Sequence, residues 1–212
     1  LFISFEGGEG SGKTTQIRRL EEWFRHQGRD VVVTREPGGS PGAEEIRNLL
    51  LTGDPGRWDA VTEAFLMFAS RRDHVERTIR PSLADGKIVL CDRFADSSVA
   101  YQGYGHGLGA EYIRNLWALA IGDFKPDLTL IFDLPIEVGL DRAGARFANV
   151  SAAEDRFERM GVEFHQRLRD GFKEISQTDA DRCRMIDANS DIDTVAERMI
   201  SAVKDGLTRQ GS

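Results

Sequence analysis

Short aliphatic or β-branched runs alternate with amphipathic stretches along the whole chain. Strand-like runs lie at residues 2–5, 30–34, 87–91, 128–134 and 184–186. Each is followed by a helical pattern, at 14–27, 43–51, 62–85, 111–121, 136–146, 152–177 and 192–208. In the first of these, Ile17, Leu20 and Phe24 fall at the i, i+3, i+7 spacing of a core-facing stripe. Such alternation predicts an α/β fold built on a parallel sheet covered by helices on both faces. Ligands in sheets of this kind bind in the crevice beyond the strand C-termini. The polar segments sit there: residues 6–15 after the first strand, 35–39 after the second, and Asp92-Arg93 after the third.

The first polar segment carries the most specific chemistry. Gly7-Gly8-Glu9-Gly10-Ser11-Gly12-Lys13-Thr14-Thr15 fits the phosphate-binding pattern G-x-x-x-x-G-K-[ST] from Gly7 to Thr14. Its glycines let backbone N–H groups converge on a phosphate, and the N-terminus of the following helix adds favourable potential. Lys13 can reach the β- and γ-phosphates, and the Thr14 hydroxyl can ligate Mg²⁺. The bland alternative is a glycine-rich turn that binds nothing. The strand before the loop and the helix after it count against that, so the chain is expected to bind a nucleoside triphosphate.

Composition narrows the setting. With 212 residues, 40% of them hydrophobic, and no linker-like or repetitive tract, residues 1–212 read as one domain. The first apolar run is too short for a signal peptide or a membrane span, so no membrane association is expected. Two cysteines, Cys91 and Cys183, suggest a reducing, cytoplasmic setting with both thiols buried. A net charge of −7 argues against a protein that coats nucleic acid through a broad basic face. Positive charge is instead concentrated at Arg71-Arg72, Arg93, Arg142, Arg146 and Arg156. The phosphate loop alone does not separate GTP switches, motor ATPases and small-molecule kinases.

Four further segments do. Arg35-Glu36-Pro37-Gly38-Gly39 forms a rigid turn after the second strand, and residues 62–74 (TEAFLMFASRRDH) put aromatics one turn before paired arginines. Asp92-Arg93-Phe94 is followed by Asp96-Ser97-Ser98 and by Ala100-Tyr101-Gln102-Gly103, and an arginine-rich stretch spans 142–159. With the phosphate loop, this ordered set resembles the bacterial thymidylate kinases over residues 2–188. The resemblance implies a P-loop kinase three-layer fold, with a five-stranded parallel sheet and a short mobile lid over about 142–159. It also implies ATP-dependent phosphorylation of dTMP to dTDP for dTTP synthesis, with Mg²⁺ as cofactor, in a homodimer.

The resemblance assigns roles residue by residue. Gly7, Gly8, Glu9, Gly10, Ser11, Gly12, Lys13, Thr14 and Thr15 are expected to hold ATP, and Thr14 with Asp92 to hold the metal. Asp92 ends the third strand, where a carboxylate suits Mg²⁺ directly or through water. The planar fork of Arg93 suits the phosphate of a nucleoside monophosphate. Glu9 falls where relatives place an acidic residue near the acceptor sugar. The dTMP site is expected at Pro37, Arg47, Phe68, Arg71, Arg93, Ser98, Tyr101 and Gln102. Arg71 would donate to thymine O4, Gln102 would read the base edge, and Tyr101 would crowd the sugar 2′ position. For stacking on the base, Phe68 is favoured over Met67 because only phenylalanine offers a flat π-face.

Catalysis needs positive charge on the moving phosphoryl group. Some members of the resembled family carry an arginine inside the phosphate loop, where this chain has Gly10. The charge is therefore expected from Lys13, Arg93 and the lid arginines Arg142, Arg146 and Arg156, and an arginine placed at position 10 would recover some rate if those were lost. Rival readings are another P-loop nucleotide or nucleoside kinase, a GTP switch and a nucleic-acid ATPase. The N-K-x-D signature that reads guanine is missing. The four histidines have no metal-ligand spacing.

Overall fold

The computed structural model describes residues 1–52, 56–147 and 160–210, with residues 145–147 and 209–210 described for their backbone alone. Five strands, β1 (Phe2–Glu6), β2 (Val31–Arg35), β3 (Ile88–Asp92), β4 (Leu128–Asp133) and β5 (Cys183–Asp187), form one sheet in the order β2-β3-β1-β4-β5. All the pairings are parallel, as the alternation of strand and helix requires. The central strand β1 pairs with β3 on one side and β4 on the other. The crossovers change direction there, which opens a crevice above its C-terminal end. Register levels the strand ends around that crevice, because Asp92 pairs with Phe5 on one side and with Arg35 on the other.

One apolar cluster closes the first face of the sheet and two close the second. On the first, α1 (Lys13–His26) and α9 (Ile192–Gln210) lay Ile17, Leu20, Phe24, Val195 and Met199 against Ile3, Phe5, Leu130 and Phe132. On the second, Phe68 of α3 (Ala60–His74), Ile113 of α6 (Ala110–Ile121) and Phe164, Leu168 and Phe172 of α8 (Val162–Thr178) pack around Ile131. Among the described residues no helix is long and apolar enough to cross a membrane.

The second face also carries a buried polar seam. Ser4 and Thr129 share a hydrogen bond of 2.8 Å, and Arg182 donates to Asp96 at 2.6 and 3.1 Å. Glu6 ends β1 fully buried, where the Phe94 N–H donates to it at 2.8 Å and Ser97 Oγ donates at 2.5 Å. Burial, with Asp96 nearby, pushes the Glu6 carboxyl up to about 8 despite the opposing help of Ser97, Arg93 and the Phe94 N–H.

Three elements differ from the sequence pattern, each for a physical reason. The long helix expected over 62–85 is α3, a π-helical turn at Val75–Ile79 and a short α4 (Arg80–Ala84). Pro81 has no N–H to give to the helical ladder, and the wider turn immediately precedes it. The run α5 (Ala95–Ser98) with the π-helical segment Val99–Gly105 has no amphipathic stripe to betray it, since nearly every side of it is buried. Finally, α8 starts at Val162 because Gly161 is extended (φ −63°, ψ 161°), so no continuous helix runs from the expected start; residues 152–159 of that expectation lie outside the described ones.

The state of Glu6 makes a stability prediction. Between its unfolded value of 4.5 and its folded value of about 8, the native state keeps a proton that the unfolded chain releases, so Glu6 lowers stability as pH rises through that window. Glu6→Gln imitates the protonated form and cannot release a proton. Calorimetric Tm values of the variant and wild type should lie close together at the acid end of the window. The variant should then become progressively more stable than wild type toward its alkaline end. A Tm gap that stays flat with pH would show that Glu6 is ionised throughout.

Candidate active site

The loop between β1 and α1 is shaped by positions that only glycine fits. Gly7 has φ 131°, and a Cβ there would lie 2.5 Å from the Phe132 carbonyl oxygen. Gly10 has φ 68°, and a Cβ there would lie 2.1 Å from the carbonyl oxygen of Gly139. That residue belongs to α7 (Ile136–Phe147), so loop backbone and helix backbone are in direct contact. Inside the curl, Lys13 Nζ donates to the carbonyls of Gly7 and Gly8 at 3.0 Å each and to Ser11 Oγ at 3.1 Å. Burial and the nearby Arg93 bring the Lys13 ammonium down to about 8, against the pull of Asp92, Glu9 and Glu6. A polyanion in the loop would favour the charged form again.

Next to the loop, Arg93 adopts a left-handed backbone (φ 69°), rare for a residue with a side chain. Bonds on either side hold it there: its own N–H donates to Phe5 and the following N–H to Glu6. The guanidinium then faces the loop, donating to Gly7 O at 3.1 Å and to Glu9 Oε1 at 3.0 Å, 4.8 Å from the centre of the Tyr101 ring. Tyr101 Oη donates to the same Glu9 oxygen at 2.6 Å. Burial alone would raise the Glu9 carboxyl, but Arg93, Lys13 and the Tyr101 hydroxyl outweigh it and hold the group below its ordinary value. Thr14 Oγ1 lies 3.4 Å from Asp92 Oδ2 at the level of the loop. A hydroxyl and a carboxylate oxygen facing each other are the donor types that a hard cation takes.

Farther along the crevice, Arg71 of α3 is 2% exposed. Its Nε donates to Glu36 Oε2 at 2.7 Å, Nη1 to Ser98 Oγ at 3.1 Å and Nη2 to the Phe94 carbonyl at 3.0 Å. Glu36 is held in turn by His74 at 3.0 Å, whose other ring nitrogen bonds Thr34 Oγ1 at 2.7 Å. Gln102 Nε2 donates to Glu63 Oε1 at 2.8 Å, and Arg47 Nη1 to the Pro37 carbonyl at 2.9 Å.

One cleft of about 530 Å³ gathers most of the residues expected from sequence. Glu9 to Thr15, Asp92 and Arg93 line its phosphate end. Pro37, Arg47, Arg71, Ser98, Tyr101 and Gln102 line the other. Gly7 and Gly8 stand behind the loop wall, their carbonyls turned to Lys13. Arg142 lines the cleft from α7, with Nη1 3.3 Å from the Ala188 carbonyl. Arg146 lies one turn farther along the same helix, and Arg156 lies outside the described residues.

Two expectations need correction. Met67, not Phe68, lines the cleft. Phe68 is 3% exposed and its ring sits 4.6 Å from the Arg71 guanidinium, where its flat face serves that cation rather than the cavity. An arginine at position 10 cannot simply restore lost charge either, because its Cβ would collide with the Gly139 carbonyl. Sequence reasoning also passed over Glu36 and Ser97 in the cleft wall. The signal for Glu36 was its place directly after a strand end; for Ser97, its place four residues after Arg93, whose guanidinium it meets at 3.4 Å.

A model of the thymidylate kinase family matches residues 5–199. The chain is 55% identical to the thymidylate kinase of Caulobacter vibrioides, over 96% of this chain and 95% of that one. It is 53% identical to that of Ruegeria pomeroyi, over 99% and 97% respectively. A crystal structure of thymidylate kinase from Ehrlichia chaffeensis superposes with a TM-score of 0.76 at 38% identity, covering 96% of this chain and 98% of that one. With a family model matched over most of its length and relatives more than half identical across nearly all of it, the chain belongs to the thymidylate kinase family.

Proposed function

We propose that this chain transfers the γ-phosphoryl group of ATP to dTMP, giving dTDP on the route to dTTP. The observation that carries this is the single cleft with two unlike ends. A phosphate loop closes one end, and a fixed arginine and a fixed amide close the other.

An oxygen of the dTMP phosphate is already a nucleophile, so the protein supplies position and charge rather than a strong base. In this reading the loop N–H groups and Lys13 hold the donor phosphates. Arg93, turned to the loop by its left-handed backbone, holds the acceptor phosphate bidentately. Glu9 and Tyr101 stand between the two ends beside the sugar, and their mutual hydrogen bond keeps the phenol ring at the 2′ side. Arg71, Ser98 and Gln102 meet the base, with Met67, Pro37 and Arg47 around it. The Thr14 hydroxyl and Asp92 would hold Mg²⁺, which supplies charge neutralisation on the donor phosphates. Arg142 and Arg146, one turn apart on α7, supply the charge that Gly10 cannot, aided by Arg156.

Residues 1–212 are read as one kinase domain, with the arginine-rich stretch 142–159 as its lid. A homodimer is supported by the large side chains left exposed on α2 (Pro41–Leu51), α3 and α6: Leu49, Phe65 and Leu119. Two buried cysteines with no disulfide support a cytoplasmic setting.

Two kinetic predictions follow from the two ends of the cleft. Arg71→Lys keeps a cation beside Glu36 but loses the planar fork. It should raise the KM for dTMP about ten- to a hundredfold while moving the KM for ATP little; an unchanged dTMP KM would remove Arg71 from the base site. Loss of both α7 arginines in Arg142→Ala/Arg146→Ala should lower kcat by about 10²–10⁴ with both KM values little changed. Steady-state rates that stay above about a tenth of wild type would place the catalytic charge elsewhere.

A further inference from the structure

The two groups proposed to face the base differ in what they can offer. A guanidinium only donates, whereas a glutamine amide donates from one end and accepts from the other, and a half-turn of the amide exchanges them. A glutamine free to turn reads nothing, because it satisfies either partner.

Gln102 is not free to turn. It is 1% exposed, and its Nε2 donates at 2.8 Å to Oε1 of Glu63, a residue itself 1% exposed on the first turn of α3. A carboxylate oxygen accepts only, so the amide NH₂ must face it and the amide oxygen cannot. Gln102 lines the cleft and Glu63 does not, so Glu63 acts from behind. His106 Nε2 lies 3.6 Å from the same oxygen. The π-helical segment Val99–Gly105 brings Gln102 and Tyr101 to the cleft together, which fixes the backbone from which the amide hangs.

We infer that Glu63 is a specificity-determining positioning residue: by claiming the amide NH₂ of Gln102, it commits the amide oxygen to the cleft as an acceptor. This role presupposes that Gln102 faces the dTMP base, as proposed above. Thymine offers a donor at N3–H and an acceptor at O4. A fixed acceptor at Gln102 beside a fixed donor at Arg71 matches that edge. Cytosine offers the reverse, an acceptor at N3 and a donor at N4, and meets both fixed groups with the wrong sign. The pairing thus selects the keto edge through a residue that never touches the substrate, and it discriminates by leaving buried polar groups unpaired with the wrong base.

The test uses 5-methyl-dCMP, which keeps the shape and methyl group of dTMP and alters only the hydrogen-bonding edge. Glu63→Gln is isosteric and lets the facing amide either donate or accept, so Gln102 regains its half-turn. The ratio of kcat/KM for dTMP over 5-methyl-dCMP should fall about tenfold or more, with the KM for ATP and the far-UV circular dichroism unchanged. A ratio that holds in the folded variant overturns the inference. Gln102→Leu, measured alongside, separates the two layers. If it collapses the ratio while Glu63→Gln leaves it intact, Gln102 reads the base without the help of Glu63. If it too leaves the ratio intact, Gln102 does not read the base, and both the inference and that part of the acceptor site fall.

Discussion

An arginine sealed into an apolar wall persists only if its charge and its N–H directions are answered, and the Arg71–Glu36 contact is where this molecule meets that demand. The pair joins α3 to the turn after β2, and the remaining guanidinium bonds reach Ser98 and the Phe94 carbonyl beyond β3. Three separate segments are thereby tied to one planar group. Buried ion pairs of this sort return little net stability, because desolvation consumes most of the Coulomb gain. Their value is orientation: the fork cannot turn without breaking bonds in three directions. The Phe68 ring beneath it removes the last freedom, out of the plane.

The same logic recurs at smaller scale beside the phosphate loop. Glu9, Arg93 and Tyr101 answer one another, and the hydrogen bond from Phe94 to Glu6 keeps Arg93 in a backbone state that it would otherwise leave. Residues that face the cleft take their directions from carboxylates in the same wall, Glu9 and Glu36, and from others behind it, Glu6 and Glu63. Preorganisation of this kind matters most for a reaction in which position and charge do nearly all of the catalysis.

Much of this was legible in the chain and some was not, for identifiable reasons. The phosphate loop announced itself because glycine spacing, a lysine and a hydroxyl must fall at fixed offsets. The three central strands were visible as apolar runs buried on both faces, and the edge strands β2 and β5 as short β-branched or aliphatic runs between helical patterns. The helical segment at 95–105 gave no such signal, since a segment buried all round has no stripe. Met67 and Phe68 could not be ranked without knowing where Arg71 points. A flat ring looked suited to a base, and the structure spends it on the cation instead. Glu36 and Glu63 escaped notice because their partners lie 35 and 39 residues away in sequence. No local pattern reports a pairing of that span.

The contact between Gly10 and Gly139 has a consequence of a different kind. Neither position admits a side chain, since a Cβ on Gly139 would in turn sit 2.7 Å from the Glu9 carbonyl oxygen. The glycine-rich loop and the helix that bears Arg142 are thus interlocked, backbone against backbone. A lineage carrying this interlock cannot drift by one substitution toward an arginine inside the loop, because the first step jams the loop against the helix. A loop that bears an arginine is therefore separated from this one by a steric valley that only a concerted rearrangement of loop and helix can cross.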